Sequence, residues 1–122
     1  DIYSVAWTDY SGTSTVVGWS STSALYIYYK KIGKLVFVAF QIIGTSNSTA
    51  VTFTLPYANN FFGTIHCAGQ GMDNGSYLTT LPMIDFGATL STVTVHRDGA
   101  GATWTNSGGK RVAGEFWYPT AT

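Results

Sequence analysis

The ten residues from Lys34 to Ile43 constrain the fold more than any other stretch, because as an extended chain they leave no face suited to water. Eight of the ten, in the run KLVFVAFQII, are apolar. Side chains of a strand alternate between its two faces, and here each face carries four apolar residues. One face holds Leu35, Phe37, Ala39 and Ile43, and the other holds Val36, Val38, Phe40 and Ile42. A strand with one solvent-exposed face alternates apolar and polar residues. This stretch hardly does so, and we therefore expect both of its faces to be covered.

The cover for the second face has to come from another sheet or another subunit. No segment shows a sustained apolar period of about 3.6 residues with capping residues, so the chain offers no helix to lie over this strand. The core of the domain would cover one face. For the other face we predict an oligomer interface, formed by Val36, Val38, Phe40 and Ile42.

Short apolar segments separated by turn residues recur along the chain and predict strands. Gly33 supplies the backbone freedom for a tight hairpin between two of them. The clearest segments are Leu25–Ile32, Lys34–Ile43, Ala50–Leu55, Ser91–His96 and Arg111–Tyr118. Roughly eight to ten strands at this spacing predict an all-β fold, a jelly-roll-like antiparallel β-sandwich, in a single domain spanning residues 1–122.

Polar and glycine-rich segments between these strands predict loops and turns. Ser20–Ser23 is interpreted as a linker, Gly44–Ser48 as a turn and Gly69–Gly71 as a loop. A short strand is predicted over Ala102–Thr105. The chain begins at Asp1 without a methionine, which suggests that the domain is part of a longer chain.

The composition argues against several classes of partner. Six basic and six acidic residues cancel, so we expect no nucleic-acid partner, which would need a concentrated basic face. No apolar run reaches ~18 residues, so no membrane insertion is expected. The single cysteine, Cys67, cannot form an intramolecular disulfide, and no spacing suits zinc. We predict a buried, inert thiol there, and neither a metal nor a cofactor.

Catalytic motifs are also missing, and we predict that the chain is not an enzyme. It contains no G-x-S-x-G, no H-E-x-x-H and no phosphate-cradling loop. His66 and Cys67 are adjacent, but neighbours on a strand point to opposite faces and could not share a proton. Glycoside hydrolysis would need a pair of carboxylates. Asp85 and Glu115 are the candidates for partial burial, but nothing in the sequence pairs them.

Three segments, in the same order, are similar to a signature of phage proteins. The first reads YYKKIGKLVFV over residues 28–38, the second IGTSNST over residues 43–49 and the third FTLP over residues 53–56. In these segments the chain resembles C-terminal domains of phage tail-fibre and tail-spike-like proteins, with the pattern Y-x-K-I-G-x-x-V-x-V, G-T-S-N-S-T and F-T-L-P. Gly114–Tyr118 resembles the same group. The similar stretches cover about a third of the chain.

The resemblance implies a homotrimeric β-sandwich head at the tip of a virion fibre or spike, facing outward. Such a head would attach to a glycan or protein receptor on the host surface, or would only lock the trimer. Weak sites on each copy would then gain avidity from the other two. The resemblance carries over no binding residue.

Glycan binding would need aromatic rings beside polar side chains in loops. Sugars stack their apolar C–H faces on such rings and pair their hydroxyls with Asp, Asn and Gln. Six residues in or beside predicted loops meet this description. They are Trp104, Tyr77, Asp73, Asn74, Trp19 and Tyr10. Each of the four aromatic residues also fits a structural position in the core, at an edge or at an interface.

Two other functions fit the same sequence. A carbohydrate-binding module of a secreted glycan-processing enzyme would be a monomer with a flat aromatic platform and polar cover on the outer face of Lys34–Ile43. A purely structural virion decoration domain would bind no host molecule.

Overall fold

The computed structural model describes residues 6–60, 64–66, 68–86 and 90–121. Within these ranges the chain is all-β and its strands form two antiparallel sheets, so the predicted fold class is confirmed at this level. The described part has no helix long and apolar enough to cross a membrane. Cys67, predicted to be a buried thiol, lies outside the described residues.

The described residues form eleven strands, numbered here in chain order. The first five are β1 (Thr8–Asp9), β2 (Val16–Val17), β3 (Trp19–Ile32), β4 (Leu35–Ser46) and β5 (Thr52–Thr54). The others are β6 (Thr64–His66), β7 (Ala68–Asp73), β8 (Ser76–Tyr77), β9 (Met83–Asp85), β10 (Thr92–His96) and β11 (Gly109–Pro119).

One sheet has six strands in the order β1-β3-β4-β11-β7-β8, and the other has five in the order β2-β5-β10-β9-β6. The chain crosses repeatedly between them, so strands far apart in sequence become neighbours. The last strand, β11, pairs with β4 along its full length and with β7 on its other side. The six-stranded sheet is therefore built around β3, β4 and β11.

The central hairpin forms where the sequence predicts it. Ile32 pairs with Leu35 across a two-residue turn, and Gly33 in that turn has φ 61°. Glycine adopts this left-handed conformation without the steric cost of a side chain. The hairpin is longer than predicted at its open end, where β3 begins at Trp19 and β4 continues to Ser46.

The predicted linker Ser20–Ser23 and much of the predicted turn Gly44–Ser48 are strand instead. Two bulges in β3 allow this polar run to pair with β4, since a bulge inserts an extra residue without ending the ladder. The hydroxyls of Ser20 and Ser23 donate to the carbonyls of Thr45 and Ile43. These cross-strand bonds are non-local, so serine composition alone did not reveal them.

The inner face of β4 is covered within a single chain. Val36, Val38, Phe40 and Ile42 are between 0% and 4% exposed, and their cover is the core shared with the five-stranded sheet. The prediction that these four side chains form an oligomer interface is wrong, because the second sheet already excludes water from them.

Aromatic rings join the two sheets. The ring of Phe53 on β5 lies 5.2 Å from Phe40 on β4 and 6.3 Å from Phe116 on β11. Phe86, which follows β9, lies 5.8 Å from Phe116 and 5.7 Å from Tyr118. Tilted and edge-to-face pairs at such separations add to the stabilisation from burial alone. The two sheets therefore share one core.

A glycine-rich segment beside Trp104 forms a strand of the six-stranded sheet. Gly69–Gly71, predicted as a loop, lies in β7 and pairs with β11. A Cβ added at Gly71 would lie 2.8 Å from the Leu78 side chain and 3.3 Å from the Trp104 ring, so these two side chains pack into space that glycine leaves open. The predicted strand Ala102–Thr105 is not one, because the Trp104 amide donates to the carbonyl of Thr49 in a loop.

Lys110 is a buried cation in the wall of the core. It is 1% exposed, and its Nζ donates to the carbonyls of Gly18 at 2.8 Å and Ser48 at 3.2 Å. The Nζ also lies 5.0 Å from the ring centre of Trp19 and 5.8 Å from that of Trp104. Burial lowers the pKa of Lys110 from 10.5 to about 8. The negative charge of Asp73 acts in the other direction and raises this pKa, but its effect is smaller.

We expect Lys110 to make stability rise with pH. Its pKa is lower in the folded than in the unfolded protein, so between about 8 and 10.5 the unfolded state binds more protons. The free energy of unfolding should therefore increase over this window, by at most roughly 3 kcal/mol. Urea unfolding of the wild type and Lys110→Met at a series of pH values measures the effect.

Lys110→Met is a suitable comparison because it keeps an unbranched side chain in the buried site and removes the titrating ammonium. The Gly18 carbonyl still accepts from the Asn47 backbone amide. The Ser48 carbonyl shares the single proton of the Ser46 hydroxyl with the closer Thr105 carbonyl, so the variant should be less stable at every pH, and the slope of its pH profile is the quantity compared. In the variant, the free energy of unfolding should no longer increase between pH ~8 and ~9.5. This window lies below the pH at which tyrosines ionise, so they do not contribute to the comparison. Parallel pH profiles of the two proteins would contradict the assignment.

Candidate functional site

The outer face of the six-stranded sheet carries most of the large apolar side chains that are exposed in the described part of the chain. Five of the eight large apolar side chains exposed in the described part lie on this face. They are Trp7, Tyr26, Leu35, Tyr77 and Trp117. Tyr26 is 50% exposed and Trp117 is 57% exposed. Such a concentration of apolar side chains on one surface marks a binding region more often than chance exposure does.

Strand register places a groove across the middle of this face. One row of outward residues runs from β3 to β7 through Tyr26, Gln41, Ala113 and Gln70. The next row contains Tyr28, Ala39 and Glu115. The alanines of the two rows lie on adjacent central strands, so the sheet surface is lowest there.

Larger side chains border the groove on both sides. Lys30, Phe37 and Trp117 form the next row toward the hairpin turn. Ile43, Arg111 and Met72 form the next row in the other direction. The groove between these rows has a volume of about 510 Å³, within the range of roughly 300–1,000 Å³ that is usual for ligand sites. Its lining is Tyr26, Tyr28, Ala39, Phe40, Gln41, Gly69, Gln70, Ala113, Gly114 and Glu115.

The groove combines two aromatic rings with three polar side chains. Tyr26 and Tyr28 stand at the β3 end, and Gln70 stands at the β7 end. Gln41 and Glu115 lie between them on the two central strands. The amides both donate and accept hydrogen bonds, whereas a carboxylate only accepts. This set of groups matches a ligand with apolar faces and several hydroxyls.

The cations of this face lie outside the groove lining. Lys30 extends over the ring of Trp7, with its Nζ 4.5 Å from the ring centre. Arg111 lies in the bordering row beside Ile43 and Met72. Glu115 is therefore the only charged residue among the described residues that line the groove.

Two of the residues predicted to bind glycans belong to the interior. Trp104 is 2% exposed, and its Nε1 donates to the carbonyl of Val95 at 2.8 Å. Asp73 is 6% exposed and accepts hydrogen bonds from Arg97 at 2.6 Å and from Thr105 at 3.0 Å. The prediction that these two bind a ligand is corrected, because neither presents a ring or a carboxylate to solvent.

The remaining predicted residues do not form a common site. Asn74 is exposed in the β7–β8 turn with φ 49°, and Tyr77 lies on the outer face but outside the groove. Trp19 is half-buried beside the Lys110 ammonium. Tyr10 packs edge-on against Tyr29 and donates to the carbonyl of Leu55.

The groove residues are not among the predicted glycan-binding residues, because they lie on strands. The predicted residues lie in or beside loops, whereas Tyr26 and Tyr28 lie within β3 and Glu115 within β11. One signal was present in the sequence. Tyr26, Tyr28 and Lys30 alternate with Leu25, Ile27 and Tyr29, which marks them as the outward set of β3.

The two carboxylates considered for hydrolysis lie on opposite sides of the sandwich. Asp85 lies on the outer face of the five-stranded sheet, where its Oδ2 is 3.3 Å from His96 Nε2. Glu115 lies in the groove of the other sheet, so the two cannot act on one bond. The described side chains also include no group of three or more His, Cys, Asp or Glu that could hold a metal ion.

Comparison with protein-family models, with curated proteins and with solved structures found no match to this chain.

Asp73 should matter for stability and not for ligand binding. Burial alone would raise the pKa of its carboxyl, but the hydrogen bonds from Arg97 and Thr105 hold that pKa below its ordinary value. Asp73→Ala leaves the Arg97 guanidinium and the Thr105 amide without this acceptor. We expect a loss of about 2–3 kcal/mol in the free energy of unfolding.

Thr103→Ala is the matched control for Asp73→Ala. Thr103 is exposed in the same loop as Thr105, so its truncation should change stability by less than about 0.5 kcal/mol. Urea unfolding of both variants at neutral pH compares them. Equal stability of the two variants would show that the Asp73 carboxylate is dispensable.

Proposed function

We propose that this chain is a non-enzymatic carbohydrate-binding domain that attaches its parent protein to glycans. The groove on the outer face of the six-stranded sheet is the observation that carries the proposal. Sugars present apolar C–H faces that stack on aromatic rings and hydroxyls that need both donors and acceptors. Tyr26 and Tyr28 offer the rings, while Gln41, Gln70 and Glu115 offer the polar partners.

The groove also suits a chain of sugars more than a single small molecule. Its lining extends across four neighbouring strands, from Tyr26 on β3 to Gln70 on β7. With strands about 4.8 Å apart, this span is roughly 14 Å. The groove is open along the sheet surface between the two bordering rows. A glycan chain could lie across the strands and continue beyond the groove at either end.

Within this function, the favoured setting is the head of a phage fibre or spike. The sequence resemblance supports this setting, which implies a homotrimer on the outside of a virion. The repeated crossing of the chain between the two sheets supports a jelly-roll topology. Three linked grooves would turn weak binding of each copy into avid attachment to a host surface rich in glycans.

A carbohydrate-binding module of a secreted enzyme is the second candidate setting. One specific observation favours it: the inner face of β4 is covered within one chain, so a second copy is not needed to exclude water from it. Assembly through the outer face of the six-stranded sheet would bury the groove. A glycan-binding trimer would therefore have to associate through other surfaces.

Tyr26→Ala and Tyr28→Ala should each weaken glycan binding by about 10-fold or more, because each removes a stacking surface. A glycan array identifies the bound oligosaccharide, and calorimetric titration with it measures the Kd. Tyr77→Ala is the matched control, since Tyr77 is 58% exposed on the same face but outside the groove. A larger effect of Tyr77→Ala would place the site in the β7–β8 turn instead.

Filling the groove gives an independent test. Ala113→Leu adds a larger side chain to the groove floor and leaves both tyrosines in place. It should abolish binding, while thermal unfolding checks that the sheet is intact. Undiminished binding by a folded Ala113→Leu protein would rule out the groove.

The molar mass in solution separates the two settings. Light scattering should give about three times 13.1 kDa for a fibre head. A strict monomer that binds glycans would support the enzyme module. A trimer that binds no glycan on the array would favour the purely structural virion domain.

A further inference from the structure

We infer that the groove selects neutral glycan chains and rejects acidic ones, an inference that rests on the carbohydrate-binding function proposed above. The reason is the charge inside the groove. Glu115 is exposed there and is the only charged side chain that the described part of the chain contributes to the lining. The other polar side chains that line it, apart from the tyrosine hydroxyls, are the amides of Gln41 and Gln70.

Register places Glu115 where a bound sugar has to meet it. On the sheet surface Glu115 is directly beside Ala39, and Ala39 is directly beside Tyr28. Only the small Ala39 side chain separates the carboxylate from the Tyr28 ring along this row. A sugar that stacks on Tyr28 and reaches the groove floor therefore points its substituents toward the Glu115 oxygens.

A carboxylate at this position distinguishes hydroxyls from acids. It can accept hydrogen bonds from two neighbouring hydroxyls, and bonds to a charged acceptor are stronger than neutral ones. The carboxylate of a uronic or sialic acid has no such proton at neutral pH. It would bring a second negative charge close to Glu115, and like charges at short range repel.

The nearby cations do not compensate for this repulsion inside the groove. Lys30 and Arg111 lie in the two bordering rows, on opposite sides of the groove. The Lys30 ammonium is held over the Trp7 ring. The two amides of the neighbouring row, Gln41 and Gln70, carry no net charge and suit hydroxyls as donors or acceptors.

Matched oligosaccharides test the inference directly. Short mannose oligomers and the corresponding mannuronate oligomers share one ring skeleton, with a carboxylate replacing the hydroxymethyl group of each sugar. Glucose with glucuronate oligomers and galactose with galacturonate oligomers form equivalent pairs. Binding of each pair to the wild type, Glu115→Gln and Tyr26→Ala is measured by calorimetry at low and at high salt.

We expect the wild type to bind the neutral member of at least one pair and to bind its acidic partner at least 10-fold more weakly. Glu115→Gln should weaken neutral binding and remove most of the discrimination, since the amide lacks the charge. Salt should also reduce the discrimination, because the groove is open to solvent and screened.

Two results would overturn the inference in distinguishable ways. If the wild type binds an acidic oligomer as tightly as its neutral partner, and Tyr26→Ala weakens both, selection of neutral chains is refuted while glycan binding stands. If neither member of any pair binds to a folded wild type, the carbohydrate-binding function fails, and the selectivity fails with it. Thermal unfolding of Glu115→Gln confirms that this exposed substitution leaves the fold intact.

Discussion

Burial of one face of β4 against the second sheet is the interaction on which the rest of the structure depends. Val36, Val38, Phe40 and Ile42 lie in the core, where Phe40 contacts Phe53 of the opposite sheet. Because side chains alternate along a strand, burial of one face of β4 places the side chains of its other face on the outside of the sandwich. A shift in register by one residue would exchange the two faces, so the core also determines the surface.

The groove results from the outward direction of this face of β4 and from the strands that flank β4. The outward residues of β4 include Ala39 and Gln41, and pairing with β11 adds Ala113 and Glu115 beside them. The small side chains of two central strands lower the surface, and the larger residues of the bordering rows enclose it. No single strand contains the groove, because each contributes only one or two of its groups.

Buried polar side chains stabilise the same architecture by binding the loops that connect its strands. Lys110 on β11 donates to carbonyls of two separate connections, those of Gly18 and Ser48. Asp73 at the end of β7 binds Arg97 and Thr105 in the loop that leads to β11. Buried charges with such partners cost much when one partner is removed. They hold the connections of the sandwich in place. Asp73 was predicted to bind a ligand because it stands beside a turn, and its partners Arg97 and Thr105 are distant in sequence.

The sequence by itself determined the all-β class, the Gly33 hairpin and the two-sided apolar character of β4. The alternation of apolar and polar residues and the positions of turn residues are local properties, so they can be recognised in the sequence without a structure. The glycine-rich strand β7 and the polar start of β3 were missed, since their stability comes from pairing with β11 and β4.

Only the tertiary structure decided which face of β4 is covered and where the groove lies. Both faces of that strand are apolar in sequence, so periodicity cannot show which of them is buried in the core. The second sheet covers the Val36 face within one chain, which removes it from any interface. The groove unites Tyr26, Gln41, Ala113 and Gln70, which are distant in sequence and become neighbours only through register across four strands. Register is set by non-local packing, and this is the physical reason that the sequence alone pointed to the loops.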